Sequence, residues 1–178
     1  MRGGDYRNTN INMKYQKVNG IYLQIPEIVR PAGFVGVYLN DAKTGKLKSF
    51  DYIKNTYVTT GKNSLSAHQR GVANKGEITY CAVGTDDTAP IESDTKLLTE
   101  IERKLISTRE ENAGAENAND YTIFFNTSEA NGSLREAGLF GDDASDTVDT
   151  GTLFTRVAIN REKSTSDTLT IAWTVIIG

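Results

Sequence analysis

Large apolar residues alternate with smaller or polar ones along the last stretch of the chain, residues 168–177. Trp173 lies at the middle of an apolar series that also contains Leu169, Ile171, Val175 and Ile177. Because successive side chains of a strand point to opposite faces, this period of two predicts a strand with one buried face. The many β-branched residues fit the same element. A strand of this length needs neighbours, which the preceding residues are expected to supply.

Shorter segments of similar composition predict those neighbours. They are residues 21–25, 33–40, 47–52, 57–60, 77–84, 121–126, 134–140 and 153–159. The turn formers between 33–40 and 47–52 predict a β-hairpin. The last four strands are joined by polar loops, which predicts an antiparallel meander packed against the earlier strands.

Two segments carry helical signals. One helix is predicted from a capping Asn63 or Ser64 to about Val72. The stronger signal is at 94–106, where Asp94 can cap a helix whose apolar stripe comprises Leu97, Leu98, Ile101 and Leu105. The predicted fold class is therefore mainly β, an antiparallel β-sandwich with one or two short helices and an extended N-terminal arm.

The first twenty residues differ in composition from the rest of the chain. They are rich in Asn, Arg and Gly and show little apolar periodicity, which predicts a flexible or partner-ordered arm over 1–20. Residues 21–178 are expected to form a single β-rich domain, because 178 residues with 38% hydrophobic content suit one core. The polar start lacks the apolar centre of a signal peptide, so synthesis in the cytoplasm is expected.

Composition also narrows the classes of function. A net charge of -3 argues against general nucleic-acid binding, which depends on basic surfaces. The chain contains no apolar run of the roughly 20 residues that cross a bilayer, so no membrane partner is expected. It has one cysteine and one histidine, which excludes an intrachain disulfide and the usual two-histidine metal motifs. We therefore predict no catalytic residues, no cofactor and no metal site.

The few residues that could carry chemistry have simpler interpretations. His68 lies near Ser64 and Ser66, but the sequence shows neither a nucleophile elbow nor an oxyanion loop. Cys81 lies in an apolar run, which favours a buried thiol over a reactive thiolate. An acidic loop could offer calcium ligands, but its spacing does not match a calcium hand and favours a solvated loop; its members are Asp142, Asp143, Asp146 and Asp149.

A series of motifs in the second part of the chain is more specific. Ala82-Val-Gly84 is followed by a loop of Thr, Asp and Pro and then by residues 95–103. The next motifs are Glu129-Ala-Asn-Gly-Ser-Leu-Arg-Glu-Ala-Gly-Leu-Phe140, Gly151-Thr-Leu-Phe-Thr-Arg156 and 169–176. The series, over roughly residues 60–178, resembles a family of small virion proteins of tailed bacteriophages. It is also similar to the N-terminal, particle-attaching domain of tail-fibre proteins from phages with contractile tails.

This resemblance implies a non-enzymatic, β-rich and oligomeric component that joins parts of a virion. No fibre shaft follows the resembling segment, so a tail, collar, baseplate or fibre-attachment adaptor is expected rather than a receptor-binding fibre. The expected partners are other virion structural proteins and further copies of the chain, and the expected location is the virion. The alternatives are a capsid decoration or head-fibre protein, and a β-sandwich that binds a receptor or carbohydrate.

The candidate interface follows from the most distinctive motif, and its members are Arg135, Glu136, Leu139 and Phe140. Adjacent strand residues face opposite sides, so one charge of the Arg135-Glu136 pair must point into a core or an interface. The interface hypothesis is a charge contact across a subunit boundary, with Glu100 or Glu102 as candidate partners. The alternative is a solvated pair at the edge of the sandwich. Trp173 is expected in the core rather than at an interface.

Overall fold

The structure is a computed structural model that describes residues 13–18, 21–26, 32–114 and 117–177. The chain divides into two compact units, Met1–Arg30 and Pro31–Gly178. In the first unit β1 (Met13–Val18) pairs antiparallel with β2 (Ile21–Pro26), which confirms the strand predicted at 21–25. The boundary between the two units falls after Arg30. The other residues of the predicted arm, 1–12 and 19–20, lie outside the described residues.

Among its described residues, the second unit contains ten strands and a single helix. In chain order they are β3 (Ala32–Asp41), β4 (Leu47–Lys54), β5 (Thr56–Tyr57), α1 (Thr59–Gln69), β6 (Ile78–Gly84), β7 (Glu100–Leu105), β8 (Thr108–Glu111), β9 (Ala118–Phe125), β10 (Gly132–Gly141), β11 (Thr152–Lys163) and β12 (Asp167–Ile176). The ten strands form two five-stranded antiparallel sheets. We call them the β12 sheet, in the order β4-β3-β12-β9-β8, and the β10 sheet, in the order β5-β11-β10-β6-β7.

The two sheets pack together as an antiparallel β-sandwich, which confirms the predicted fold class. The central strand of the first sheet is β12, which pairs with β3 on one side and β9 on the other. Its burial alternates along its whole length, and the buried positions are Asp167, Leu169, Ile171, Trp173 and Val175. Trp173 is 1% exposed and belongs to the main core, as predicted.

The predicted hairpin at 33–52 is confirmed by the pairing of β3 with β4. The predicted meander of the last four strands is wrong. Of these strands, β9 and β12 are neighbours in one sheet, whereas β10 and β11 form a hairpin in the other. Over these four strands the chain therefore crosses between the sheets twice, and β12 returns to lie between β9 and β3. Such long-range pairing depends on how the two sheets pack and leaves no local signal in sequence.

The helix predicted at 94–106 is also wrong, because residues 100–105 form strand β7 at the edge of the β10 sheet. In β7 the apolar residues of the predicted helical stripe are exposed and a charged residue is buried, which is the opposite of what an amphipathic helix requires. Ile101 and Leu105 are 41% and 55% exposed, whereas the side chain of Arg103 is buried. Leu97 packs in a small second core, in the segment that precedes the strand. Tertiary packing overrides the local helical period here.

The other helix is present but begins earlier than predicted, at Thr59 rather than at Asn63 or Ser64. It packs closely on β11. A side-chain Cβ at Gly61 would lie 2.5 Å from the Cα of Phe154, so this position requires glycine. Ser64 is buried within the helix instead of capping it.

Candidate functional site

The structure places the four predicted interface residues in different environments. Glu136 and Leu139 are 0% exposed and Phe140 is 1% exposed, so their own chain covers all three. Only Arg135 reaches the surface, where its guanidinium forms an ion pair with Glu162 of the neighbouring strand β11. As the sequence predicted, one charge of the Arg135-Glu136 pair points inward. The partners are not Glu100 or Glu102, and the four residues do not form one surface.

Glu136 belongs to a buried ion pair on the outer face of the β10 sheet. Its Oε2 atom accepts hydrogen bonds from Nε of Arg156 at 2.9 Å and from the backbone N–H of Leu98 at 3.1 Å. Its Oε1 atom accepts the N–H of Thr99 at 2.8 Å. Arg156 also donates to Asp94 at 2.9 Å and to the carbonyl of Thr88 at 3.1 Å. The pair therefore holds the segment between β6 and β7 against the sheet.

A second buried pair fixes the loop between β10 and β11. The side chains of Arg103 and Glu100 are 1% and 0% exposed, and two nitrogens of the guanidinium each donate to one carboxylate oxygen, at 2.5 and 2.7 Å. The remaining nitrogen of Arg103 donates to the carbonyls of Ser145 and Thr150 at 3.1 and 2.9 Å. The same guanidinium lies 4.7 Å from the centre of the Phe140 ring. This geometry combines a bidentate salt bridge with a cation–π contact.

Both ion pairs are suited to structure rather than to catalysis. Each carboxylate is fully occupied by guanidinium and backbone donors, so neither is placed to act as a general base. Together they cover a small apolar cluster under the two loops, formed by Val58, Ala82, Leu97, Phe140 and Leu153. Charges buried at this depth persist only when they are paired.

Ser64 and His68 lie one turn apart on α1 and both lie against Gly76, but the hydroxyl of Ser64 is engaged by other partners. The hydroxyl of Ser64 donates to Asp142 at 2.8 Å, whereas His68 is exposed at the end of α1. Cys81 is fully buried in the main core, and burial raises the pKa of its thiol to about 12. A thiol with such a pKa is protonated at neutral pH and unreactive. The interpretation of Cys81 as a buried, packed thiol is confirmed.

The first residue of the acidic loop has a structural role. Burial of Asp142 would raise its pKa, but hydrogen bonds from Thr152, Ser64, Lys75 and the N–H of Gly76 outweigh this and lower it. The side chain of Asp142 is 1% exposed, so it is not part of a solvated loop, whereas Asp143, Asp146 and Asp149 are exposed. The described residues contain no group of three or more His, Cys, Asp or Glu side chains arranged to hold a metal ion.

A surface depression of about 300 Å³ lies between the start of β6 and strands β8 and β9. Glu77, Arg109 and Glu110 line it, and Arg109 forms an ion pair with Glu77 at 3.0 Å. The depression is small and shallow, and its main cation is already paired. It does not resemble the enclosed, largely apolar cleft of a small-molecule site.

The outer face of the β12 sheet is the most distinctive surface of the second unit. Aromatic side chains project from its strands β3, β4 and β9, and they are Phe34, Tyr38, Phe50, Tyr52 and Phe124. We call these five residues the aromatic face. Phe50, Tyr52 and Phe124 are 46%, 63% and 43% exposed, although large apolar groups on a sheet are usually covered.

The aromatic side chains are ordered by contact with one another. Phe34 and Tyr52 stack with ring centres 5.3 Å apart and planes inclined by 7°. The rings of Tyr38 and Phe50 are 4.6 Å apart. Tyr38 also lies across Gly36, where a Cβ would be only 2.9 Å from the Tyr38 ring. The absence of a side chain at Gly36 therefore allows Tyr38 to lie flat on the sheet.

Sequence reasoning did not identify the aromatic face, although a signal for it was present. Within β3 the buried Val35, Val37 and Leu39 alternate with Phe34 and Tyr38. A strand that is apolar on both faces is either covered on both sides by its own chain or left with an apolar outer face. Nothing local distinguishes these outcomes, since the answer depends on what packs over the sheet.

Comparisons of the chain with protein-family models, with curated proteins and with solved structures found no match. Within the described ranges, no helix has the length and apolar character needed to span a bilayer.

Proposed function

We propose that the protein is a non-enzymatic structural component of a tailed phage particle. Its role would be that of a tail, collar, baseplate or fibre-attachment adaptor located in the virion. It would act through protein–protein contact with other virion proteins and with further copies of itself. The resemblance of residues 60–178 to small virion proteins supports this assignment.

The observation that carries the proposal is the aromatic face. Exposed Tyr and Phe side chains on a rigid sheet are the groups that protein interfaces favour, because they bury much apolar area at little cost in side-chain entropy. Two buried ion pairs, Glu136 with Arg156 and Glu100 with Arg103, favour the same interpretation. They fix loops, so these buried charges provide rigidity rather than a reactive centre.

Virion mass spectrometry tests the proposal directly. Particles from the source culture would be banded by density, digested and searched for peptides of this chain. We expect its peptides to band with those of the tail or capsid proteins, in constant ratio across the particle peak. Abundant host cytoplasmic proteins serve as the control and should not follow the peak. Recovery of the chain only from the soluble fraction would contradict the proposal.

A capsid decoration or head-fibre role uses the same surface at another position on the particle. Immunogold labelling of intact particles would distinguish it, since label on the head would replace label on the tail.

The exposure of Phe50 and Tyr52 also favours a second candidate, a carbohydrate-binding sandwich, because aromatic rings can stack on sugars. The stacking of Phe34 on Tyr52 weighs against it, since each ring has one face already covered. A glycan array would decide between the two, and specific glycan binding by the purified chain would favour the second candidate.

A further inference from the structure

The outer face of the β12 sheet carries opposite charges at its two edges. Register places Lys54, Phe34, Thr174, Asp120 and Glu110 in one row across the sheet, from β4 to β8. Lys54 and Glu110 are both exposed, and neither forms an ion pair within the part of the chain that the structure describes. The row therefore has an exposed cation at one end and an exposed anion at the other.

We propose that this face binds the same face of a second copy of the chain. The two copies would be related by a two-fold axis that runs parallel to β12 and lies midway between their outer faces. The inference rests on the proposed function and specifies the surface through which the protein self-associates. A two-fold axis in this direction keeps each row opposite its own copy and exchanges the β4 edge with the β8 edge. It brings Lys54 of each copy opposite Glu110 of the other, so that two such contacts form at once.

The aromatic side chains obey the same symmetry. Another row, four residues along β12 from the first, contains Phe50, Tyr38, Thr170 and Phe124. The axis places Tyr38 on β3 opposite Phe124 on β9 of the second copy. Tyr38 and Phe124 thus meet each other rather than a charge, and aromatic pairs of this kind are favoured in edge-to-face or offset stacks. Phe34 of the first row instead lies opposite Asp120, whose carboxylate accepts hydrogen bonds from Asn112 and Thr174 of its own chain.

The middle of the face is shaped for close approach. The row between the two already described places Gly36, Ala172 and Thr122 side by side across β3, β12 and β9. These are small residues, and the ring of Tyr38 lies flat over Gly36. The two-fold axis sets this row against the same row of the second copy, so that Ala172 of one copy lies opposite Ala172 of the other in sheets packed about 10 Å apart.

The area is sufficient for a specific but modest dimer. With strands about 4.8 Å apart and rows about 6.7 Å apart, five strands and four rows cover on the order of 600 Å². Two copies would bury about 1,200 Å² in total, which is at the lower end for specific interfaces. We therefore expect a concentration-dependent equilibrium between monomer and dimer in the isolated protein.

A charge-swap experiment on the full-length chain tests the arrangement. Sedimentation velocity over a concentration series would compare the native chain with Lys54→Glu, Glu110→Lys and the double variant. Each single change opposes like charges and should raise the dissociation constant of the dimer about tenfold or more. The double variant restores opposite charges and should recover most of the affinity. Lys43→Glu, in the exposed turn after β3, is the matched control and should leave the dimer unchanged.

The proposal is overturned if the native chain remains monomeric throughout the series, or if both single variants dimerise as well as the native chain. It is also overturned if the double variant is as weak as the single ones. Circular dichroism and the urea midpoint of each variant show that the fold is retained. If the chain is monomeric but bands with particles, the dimer is refuted and the proposed function stands. If the chain dimerises but is absent from particles, the proposed function is refuted and the dimer stands.

Discussion

Trp173 is fully enclosed by neighbouring strands at the middle of the sandwich. On β12 it is paired with Val35 of β3 and Tyr121 of β9, and it lies in the main core. The alternation that predicts this strand from sequence is matched by the observed burial from Leu169 to Val175, whereas Ile177 lies beyond the strand and is half-buried. The residue scale is thus where sequence and structure agree best, because burial in a central strand follows directly from its period of two.

Truncation of Trp173 should be among the most damaging single changes. Trp173→Ala removes a buried ring and leaves a cavity, at a cost of about 3–5 kcal/mol. Thr170→Ala, on the outer side of the same strand, should cost much less. Urea unfolding measures both changes. Thr174 is a poorer control, since its hydroxyl donates to Asp120 at 2.7 Å. Equal midpoints for the Trp173 and Thr170 variants would show that the strand is not half-buried.

The lowered pKa of Asp167 predicts how the free energy of unfolding depends on pH. Hydrogen bonds from Lys48 and Ser164 lower its pKa to about 2. A carboxylate whose pKa is lower in the folded chain stabilises the fold above its ordinary pKa, and this contribution disappears as the pH falls from about 4 to 2.

The variant Asp167→Asn lacks the carboxylate and should be less stable than the native chain at pH 6. Urea midpoints measured at several pH values should show this gap closing towards pH 2. The exposed Asp143 provides the control, since Asp143→Asn should follow the native chain throughout. A gap for Asp167→Asn that stays constant down to pH 2 would refute the assignment.

At the scale of elements, two buried arginines hold the long connections of the β10 sheet. Arg156 binds the segment before β7 through Glu136 and Asp94, and Arg103 binds the loop before β11. Neither segment has regular secondary structure over most of its length. Side-chain bonds therefore replace the backbone ladder that would otherwise fix such segments.

Loss of Arg156 should destabilise the protein far more than loss of Arg135. Arg156→Met leaves Glu136 buried without its cation, at a cost of about 3–5 kcal/mol. Arg135→Met removes only a surface pair with Glu162, which is 66% exposed, so a much smaller loss is expected. Guanidinium unfolding compares the two. Amide exchange should also accelerate at Leu98 and Thr99, whose N–H groups bind Glu136, and unchanged exchange there would contradict the role of the pair.

The same elements show why sequence predicted only part of the candidate site. In β7 the charged residues make the contacts that hold the strand in place, since Glu102 accepts the N–H of Ala130 at 2.6 Å and Lys104 binds Glu129 at 2.6 Å. Apolar periodicity therefore gave the wrong element, because the partners of these charges are distant in sequence. In the motif around Arg135 the inward charge, Glu136, serves the fold of its own chain.

At the scale of the whole molecule, charge differs sharply between the two units. The first thirty residues contain five basic and two acidic residues, and the other 148 contain fifteen basic and twenty-one acidic residues. A basic leading segment and an acidic domain are electrostatically suited to contacts between chains in an assembly. The modest overall charge of -3 conceals this division.

Residues 31–178 should fold without the first thirty. The two core clusters contain residues from Val35 to Val175, all of which belong to the second unit. A chain shortened to residues 31–178 should therefore unfold cooperatively in urea, with a midpoint close to that of the full chain. A chain shortened at the other end, lacking 168–178, is the matched control. It loses β12 with Trp173 and should not fold, because β3 and β9 lose their shared neighbour. Failure of the 31–178 chain to fold would show that the first unit contributes to the core.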